Sequence, residues 1–71
     1  MQAISYTDNF DSMGWGFFMF PHPVSLKDVE NLLGVDYINP KDIQIYQMHS
    51  CNGIIVVHNL ELAMMLKFKL L

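Results

Sequence analysis

The sequence predicts a small α+β domain in which two helices cover one face of an antiparallel sheet of three to four strands. Three observations favour this fold class. Residues 43–60 contain no Asp, Glu, Lys or Arg and place two β-branched or aromatic runs around an Asn-Gly turn, which is typical of a β-hairpin. Residues 14–20 are a dense aromatic run that ends at prolines, as a strand often does. Two further segments begin with helix-capping residues.

Two strands are predicted near the N-terminus. Residues 3–6 are a candidate edge strand, and residues 7–12 are rich in the turn formers Asp, Asn and Ser. Residues 14–20 then predict a strand whose two alternating sets of side chains are both apolar, so the sequence leaves open which set faces the core. The first set is Trp15, Phe17 and Met19, and the second is Phe18 and Phe20.

Each predicted helix begins at a capping residue. Ser25 precedes the first helix, Asp28 follows it in a near capping box, and Gly34 ends the helix. Asn59 precedes the second helix, which runs to about residue 70. The predicted core-facing stripe of the first helix is Leu26, Val29, Leu32 and Leu33, and that of the second helix is Leu62, Ala63, Leu66 and Leu70. Met64, Met65 and Phe68 widen the second stripe. The two methionines are expected to fill the core.

The hairpin between the helices supplies the remaining strands. Because side chains alternate along a strand, each hairpin strand divides into two faces. The pairs Ile43 with Ile45 and Ile55 with Val57 are expected on one face, and Gln44, Tyr46 and Met48 with Ile54 and Val56 on the other.

The composition predicts an exposed apolar surface. Hydrophobic residues are 52% of the chain and charged residues 15%, against an average of about 25% charged residues. A domain of this length buries only about 60% of the surface that its unfolded chain exposes, and so few charges cannot cover the rest. Apolar patches on such a surface mark interaction sites. The alternative is a compact domain with a neutral polar surface of Gln, Asn and Ser.

Composition also disfavours several functions. The purely apolar runs reach four or five residues, far short of the 18 or so that a membrane-spanning helix needs. A net charge of −3 without any arginine disfavours direct binding of nucleic acid. The single cysteine, Cys51, excludes an internal disulfide, and the start of the chain lacks the pattern of a signal peptide, so the expected location is the cytoplasm.

No metal, cofactor or catalytic centre is expected. His22, His49, Cys51 and His58 are zinc-binding residue types, but their spacing matches no usual zinc-finger pattern. Cys51 beside a histidine could form a nucleophile and base pair. However, a 71-residue domain leaves little room for a pocket of about 300 Å³ or more, so the chain is expected to be non-enzymatic.

From Gly14 onward the predicted elements follow the order strand, helix, strand, strand, helix. This order resembles the ferredoxin-like βαββα topology, and its spacing resembles that of RNA-recognition motifs. Val24 and Ser25 leading into Asp28 resemble the start of that family's first helix, and residues 53–57 resemble its third strand in position. The resemblance implies the ferredoxin-like fold for about three quarters of the chain.

The departures from that family bear on function. RNA-recognition motifs stack bases on aromatic side chains at the positions of Ile54 and Val56, which are aliphatic here, and Asn52 replaces the expected basic residue. A fourth strand after the second helix is also missing, unless residues 3–6 supply an edge strand. The resemblance therefore supports the fold and argues against RNA as the ligand, and it is compatible with protein contacts on the sheet.

The leading hypothesis is a non-enzymatic protein–protein interaction module that binds through the sheet face away from the helices. A small inhibitor from a phage or mobile element, which blocks a host protein by occupying its surface, is one form that such a module takes. A homodimer closed through the same face is the alternative, and nucleic-acid binding is a further one. The predicted partner-binding residues are Trp15, Phe18, Phe20, Tyr46, Met48, Ile54 and Val56, with Trp15 and Phe17 as the alternative to Phe18 and Phe20.

Overall fold

A computed structural model describes residues 1–47 and 52–71, which form a four-stranded antiparallel sheet and three helices. The predicted α+β class is confirmed. The predicted hairpin turn is wrong in its bounds, because Gly53 begins a strand and pairs with Gln47; residues 48–51 lie outside the described residues. The strands are β1 (Ser5–Asn9), β2 (Trp15–Phe20), β3 (Ile43–Gln47) and β4 (Gly53–Val57). The helices are α1 (Phe10–Met13), α2 (Leu26–Leu33) and α3 (Leu60–Leu70).

The strands lie in the order β1-β2-β4-β3, and each strand is antiparallel to its neighbours. β2 and β4 are therefore the central strands, and β1 and β3 are the edges. β1 extends the sheet beside β2, and the single turn of α1 joins them. With this strand order and a third helix, the ferredoxin-like order is not confirmed.

The hydrophobic core lies between the sheet and the helices α2 and α3. Along the central strands the fully buried side chains alternate, and Phe18 of β2 is paired with Ile55 of β4. The other side chains of these strands are only half-buried. The two longer helices therefore cover one face of the sheet. The buried core consists of Ala3, Phe18, Phe20, Val24, Val29, Ile38, Ile43, Ile55, Val57, Ala63, Leu66 and Leu70.

Local hydrogen bonds confirm the predicted helix ends. The Ser25 hydroxyl accepts from the Asp28 backbone N–H at 3.1 Å, and the Asp28 carboxylate accepts from the Ser25 N–H at 3.0 Å, which completes a capping box. Gly34 ends α2 in the left-handed conformation with φ 70°. Asn59 caps α3 by accepting from the Leu62 N–H at 3.1 Å.

The capping box predicts that stability depends on pH. Hydrogen bonds from the backbone and side chain of Ser25 hold the pKa of the Asp28 carboxyl below its ordinary value of 3.8. As the pH falls, the Asp28 carboxyl is therefore protonated at a higher pH in the unfolded chain than in the folded chain. The stabilisation that the charged carboxylate provides above pH 3.8 is lost as the pH falls through the pKa of the folded state. We expect the free energy of unfolding, measured by urea denaturation, to fall as the pH is lowered through 3.8 and on through the lower folded-state pKa.

Two variants separate this effect from general acid sensitivity. Asp28→Asn should flatten the decline, because the amide oxygen still accepts from Ser25 but does not titrate. Asp36→Asn removes the same charge from the exposed connection after α2 and should keep the decline of the parent chain. Identical pH profiles for the parent and the Asp28 variant would contradict the prediction.

The N-terminal strand differs from the sequence prediction. The predicted strand at residues 3–6 is wrong in its bounds, because β1 is Ser5–Asn9 and pairs from Ser5↔Met19 to Asn9↔Trp15. Residues 7–9, predicted as part of a turn, therefore lie in the sheet, where pairing with β2 satisfies their backbone groups. The chain turns instead through α1, where the Asp8 carboxylate accepts from the Phe10 N–H at 3.0 Å.

Candidate functional site

The candidate site is the sheet face opposite α2 and α3. It consists of outward-pointing side chains from three neighbouring strands. The strand register places Phe17 beside Val56 and Met19 beside Ile54, and Tyr46 beside Ile54 on the other side. We call this surface the open face and define it as Trp15, Phe17, Met19, Tyr46, Ile54 and Val56.

The side chains of the open face pack on one another. The Trp15 and Phe17 rings follow each other along β2 with centroids 5.8 Å apart and planes tilted by 31°. The five residues from β2 and β4 are half-buried, whereas Tyr46 on the edge strand is exposed. In the part of the chain that the structure describes, the core-forming side chains of α2 and α3 all pack against the opposite face. The open face is thus a continuous apolar surface in contact with solvent.

Polar but uncharged side chains border the open face on both edge strands. On β1, Thr7 lies beside Phe17, with Ser5 and Asn9 at the other outward positions. On β3, the Gln44 side-chain oxygen accepts from the Tyr46 hydroxyl at 3.0 Å and lies 3.2 Å from the His58 Nε2 atom. An apolar centre with a polar rim is the usual composition of a protein–protein interface.

The open face also contains no ionic group. None of the seven acidic residues or the four lysines occupies an outward position on the four described strands. On the helix side, the Lys67 ammonium lies 5.2 Å from the centroid of the Tyr6 ring, and that ring packs at 4.6 Å on Phe18. The Lys67 ammonium therefore packs on the helix side of β1 and not on the open face.

Four residues of the predicted site lie together on the open face. They come from β2, β3 and β4, and the register brings them side by side rather than leaving them scattered. Met48, which is also predicted to bind the partner, lies outside the described residues. The four are Trp15, Tyr46, Ile54 and Val56.

The assignment of Phe18 and Phe20 to this face is wrong. Both side chains are fully buried on the helix side of β2. Alternation along the strand then brings Phe17 and Met19 to the open face beside Trp15. The alternative pair, Trp15 and Phe17, therefore lies on the open face. Met19 lies two residues after Phe17 and so belongs to the same face of the strand.

His22 and Asp28, which lie near each other outside the open face, are candidate residues for catalysis or metal binding. The expectation that the domain leaves little room for a pocket of about 300 Å³ is wrong, because a cleft of about 580 Å³ lies beside α2 and is lined in part by His22 and Asp28. The Asp28 carboxylate is held in the capping box, and the His22 Nδ1 atom lies 3.0 Å from the Pro23 carbonyl oxygen. Of the predicted zinc candidates, His49 and Cys51 lie outside the described residues, and residues 1–47 and 52–71 contain no cluster of three metal-binding side chains.

Comparisons with protein-family models, curated proteins and solved structures found no match. Among the described helices, none is long and apolar enough to cross a membrane, and α3 spans 11 residues.

Proposed function

We propose that this chain is a non-enzymatic protein-binding domain that binds a partner protein through the open face. The observation that carries the proposal is a central pair of strands whose outward side chains are all apolar and uncharged, on the side of the sheet away from α2 and α3. Removing such a surface from water is favourable, and covering it with a partner desolvates no charged group. Patches of this kind on small domains mark interaction sites.

The chemistry of the open face favours protein over nucleic acid. Binding to a phosphate backbone depends on lysine and arginine, and the net charge of −3 with no arginine opposes it. Trp15, Phe17 and Tyr46 are aromatic, yet Ile54 and Val56 on the central strand β4, where RNA-recognition motifs stack bases, offer no ring. An apolar protein surface therefore matches the face better than a strand of RNA or DNA.

The partner surface that fits best is the apolar side of a helix. The three strands of the open face span about 10 Å from the first axis to the last, and five residues along a strand span about 13–17 Å. This apolar strip has a width and length comparable with one side of a three-turn helix, which is about 10–12 Å across. The uncharged rim then faces the polar flanks of that helix. A blocking inhibitor from a phage or mobile element, working in the reducing cytoplasm that one cysteine suits, would act in this way.

We also propose that residues 14–70 are a ferredoxin-like core. Its support is the element order β2-α2-β3-β4-α3 together with the lateral strand order β2-β4-β3, to which β1 adds an edge strand. The outer side of such a sheet is the usual ligand-binding side in RNA-recognition motifs, which this chain resembles. Its aliphatic central residues would suit the same side to protein contacts.

The experiment compares an open-face variant with a variant on the helix side. Phe17→Thr/Val56→Thr places threonine, a β-branched residue that suits a strand, at both positions and adds hydroxyl groups to the apolar centre. Lys27→Thr/Asn31→Thr changes exposed positions on α2. Partners are captured from an extract of the native host on the immobilised parent chain, and their dissociation constants are then measured with purified components.

We expect the open-face variant to weaken binding at least about 30-fold, as the loss of an interface hot spot does, while the α2 variant binds as the parent does. Circular dichroism and urea unfolding check that both variants stay folded. A partner that binds the open-face variant at full strength but not the α2 variant would contradict the proposal. Retention of single-stranded RNA or DNA at low salt would contradict it as well.

A further inference from the structure

Helix α3 is apolar on two opposite sides. Ala63, Leu66 and Leu70 are buried against the sheet. The opposite side carries a second apolar stripe: Leu60, Met64, Phe68 and Leu71 follow one another at spacings of four, four and three residues, and Met65 lies three residues before Phe68, which places all five on one side of the helix. The predicted core role of Met64 and Met65 is wrong, because both are exposed, and Phe68 is 89% exposed. We call the outer stripe the α3 face and define it as Leu60, Met64, Met65, Phe68 and Leu71.

An α-helix that is apolar all round normally lies buried on all sides. The sheet covers only one side of α3. The acidic and basic residues of the helix, Glu61, Lys67 and Lys69, are too few to make its outer side polar. The α3 face is thus a second apolar surface, separate from the open face, since α3 packs on the opposite side of the sheet.

The shape of the α3 face suits another helix. Met64 and Phe68 form a ridge between two grooves of about 350 Å³ each. Leu33 and Lys69 contribute to the first groove, and Leu71 to the second. Helices pack by inserting the ridge of one into a groove of the other. Because this face presents both a ridge and grooves, it can pack against a copy of itself.

The charges of α3 are self-complementary in one orientation. Glu61 lies in the first turn, and Lys67 and Lys69 lie in the last turn. In an antiparallel pair of α3 helices centred on Met65, Glu61 of one copy is level with Lys69 of the second copy. Opposite ends of the helix dipoles are also brought together. A parallel pair would instead place like charges level with each other.

We propose that the α3 face binds a second copy of this chain, with the two α3 helices antiparallel about a two-fold axis. A two-fold interface requires one patch that is complementary to itself, and the ridge, the grooves and the charges of α3 meet this requirement. Both open faces remain outside the contact. The dimer therefore carries two copies of the proposed partner-binding surface, and it differs from a dimer closed through the sheet.

A membrane surface is the competing occupant of an exposed apolar helix. Helices that lie in a membrane interface combine such a stripe with a strongly basic polar side. Here Glu61 offsets one of the two lysines, and the chain carries a net charge of −3. This charge balance favours a second copy over an anionic lipid surface.

The first test measures the molecular mass of the 71-residue chain by sedimentation equilibrium over a dilution series. We expect a dimer that dissociates on dilution. Met64→Glu/Phe68→Glu should be monomeric at every concentration and remain folded by circular dichroism, because both side chains are exposed. The control Phe17→Thr/Val56→Thr, on the open face, should dimerise as the parent does. Phe68→Ser repeats the test with a milder change.

The second test exchanges charges to fix the orientation. Glu61→Lys and Lys69→Glu, made in separate chains, should each weaken the dimer about tenfold, since each creates two symmetric like-charge contacts. An equimolar mixture of the two variants should form a heterodimer with the affinity of the parent, because every charge again faces its opposite.

Three results would overturn the proposal. The parent chain could be monomeric at all concentrations, whether or not it binds anionic phosphatidylserine vesicles. The dimer could persist in Met64→Glu/Phe68→Glu and be lost in the open-face control, which would place the contact on the sheet. The mixed charge variants could associate no more tightly than either variant alone, which would exclude the antiparallel arrangement. None of these results depends on the partner proposed for the open face.

Discussion

Phe18→Ala should lower the free energy of unfolding by about 3–5 kcal/mol, whereas Phe17→Ala should lower it by about 1 kcal/mol. The two residues are adjacent in β2, but Phe18 is fully buried against Ile55 and the Tyr6 ring, and Phe17 is half-buried on the open face. Truncating Phe18 leaves a cavity inside the core. Truncating Phe17 removes only contacts along the sheet surface.

The measurement is urea unfolding of the three chains, with the slope of each transition checked for equality. A domain of 71 residues has a total stability of about 4–10 kcal/mol, so Phe18→Ala is expected to lose a large part of its stability and to unfold at a much lower urea concentration than the parent chain. A larger loss of unfolding free energy in Phe17→Ala than in Phe18→Ala would show that Phe17, and not Phe18, faces the core. The open face would then be formed by the wrong set of side chains, because a shift of one residue exchanges the faces of a strand.

Sequence patterns that act over a few residues predicted their structures correctly. The Ser25–Asp28 capping box, the Gly34 helix end and the Asn59 cap all depend on contacts within about one helical turn. The faces of β3 and β4 were also predicted, since Gln44 and Tyr46 alternate with the apolar Ile43 and Ile45 and so indicate which side faces outward.

Features that depend on distant parts of the chain could not be predicted in the same way. Residues 7–9 favour a turn locally, and only pairing with β2 holds them in a strand. β2 is apolar on both faces, so its alternation could not decide between Phe17 and Phe18; the helices on one side of the sheet decide it.

The α3 helix shows the same limit of local patterns. Met64 and Phe68 are apolar, and their spacing is equally consistent with a wide core-facing stripe and with a second face. The sheet contacts Ala63, Leu66 and Leu70, and this leaves the others exposed. The excess of apolar residues over charged ones therefore predicted that a surface would remain uncovered, but it did not predict that two surfaces would.

Gly53→Ala should lower the free energy of unfolding by about 2–3 kcal/mol, at the upper end of the cost of overpacking. A Cβ atom at this position would lie 2.8 Å from the His22 carbonyl oxygen and 3.1 Å from the Val24 backbone nitrogen. The connection between β2 and α2 crosses β4 at this point, and the Gln47 side chain holds it there by donating to the Val24 carbonyl at 2.7 Å. Because both obstructing atoms belong to the backbone, no side-chain rotation relieves the clash.

The control for Gly53→Ala is Gly14→Ala, which meets no atom within 4 Å but has a φ of +76°, and it should cost about 1 kcal/mol through backbone strain alone. Thermal or urea unfolding compares the two variants with the parent. In a strand with free space above it, alanine in place of glycine would stabilise the fold by restricting the unfolded chain. A Gly53→Ala chain as stable as the parent would therefore show that the connection does not lie against β4. The packing on the helix side of the sheet would then be wrong at this end, and so would the assignment of residues to the open face that depends on it.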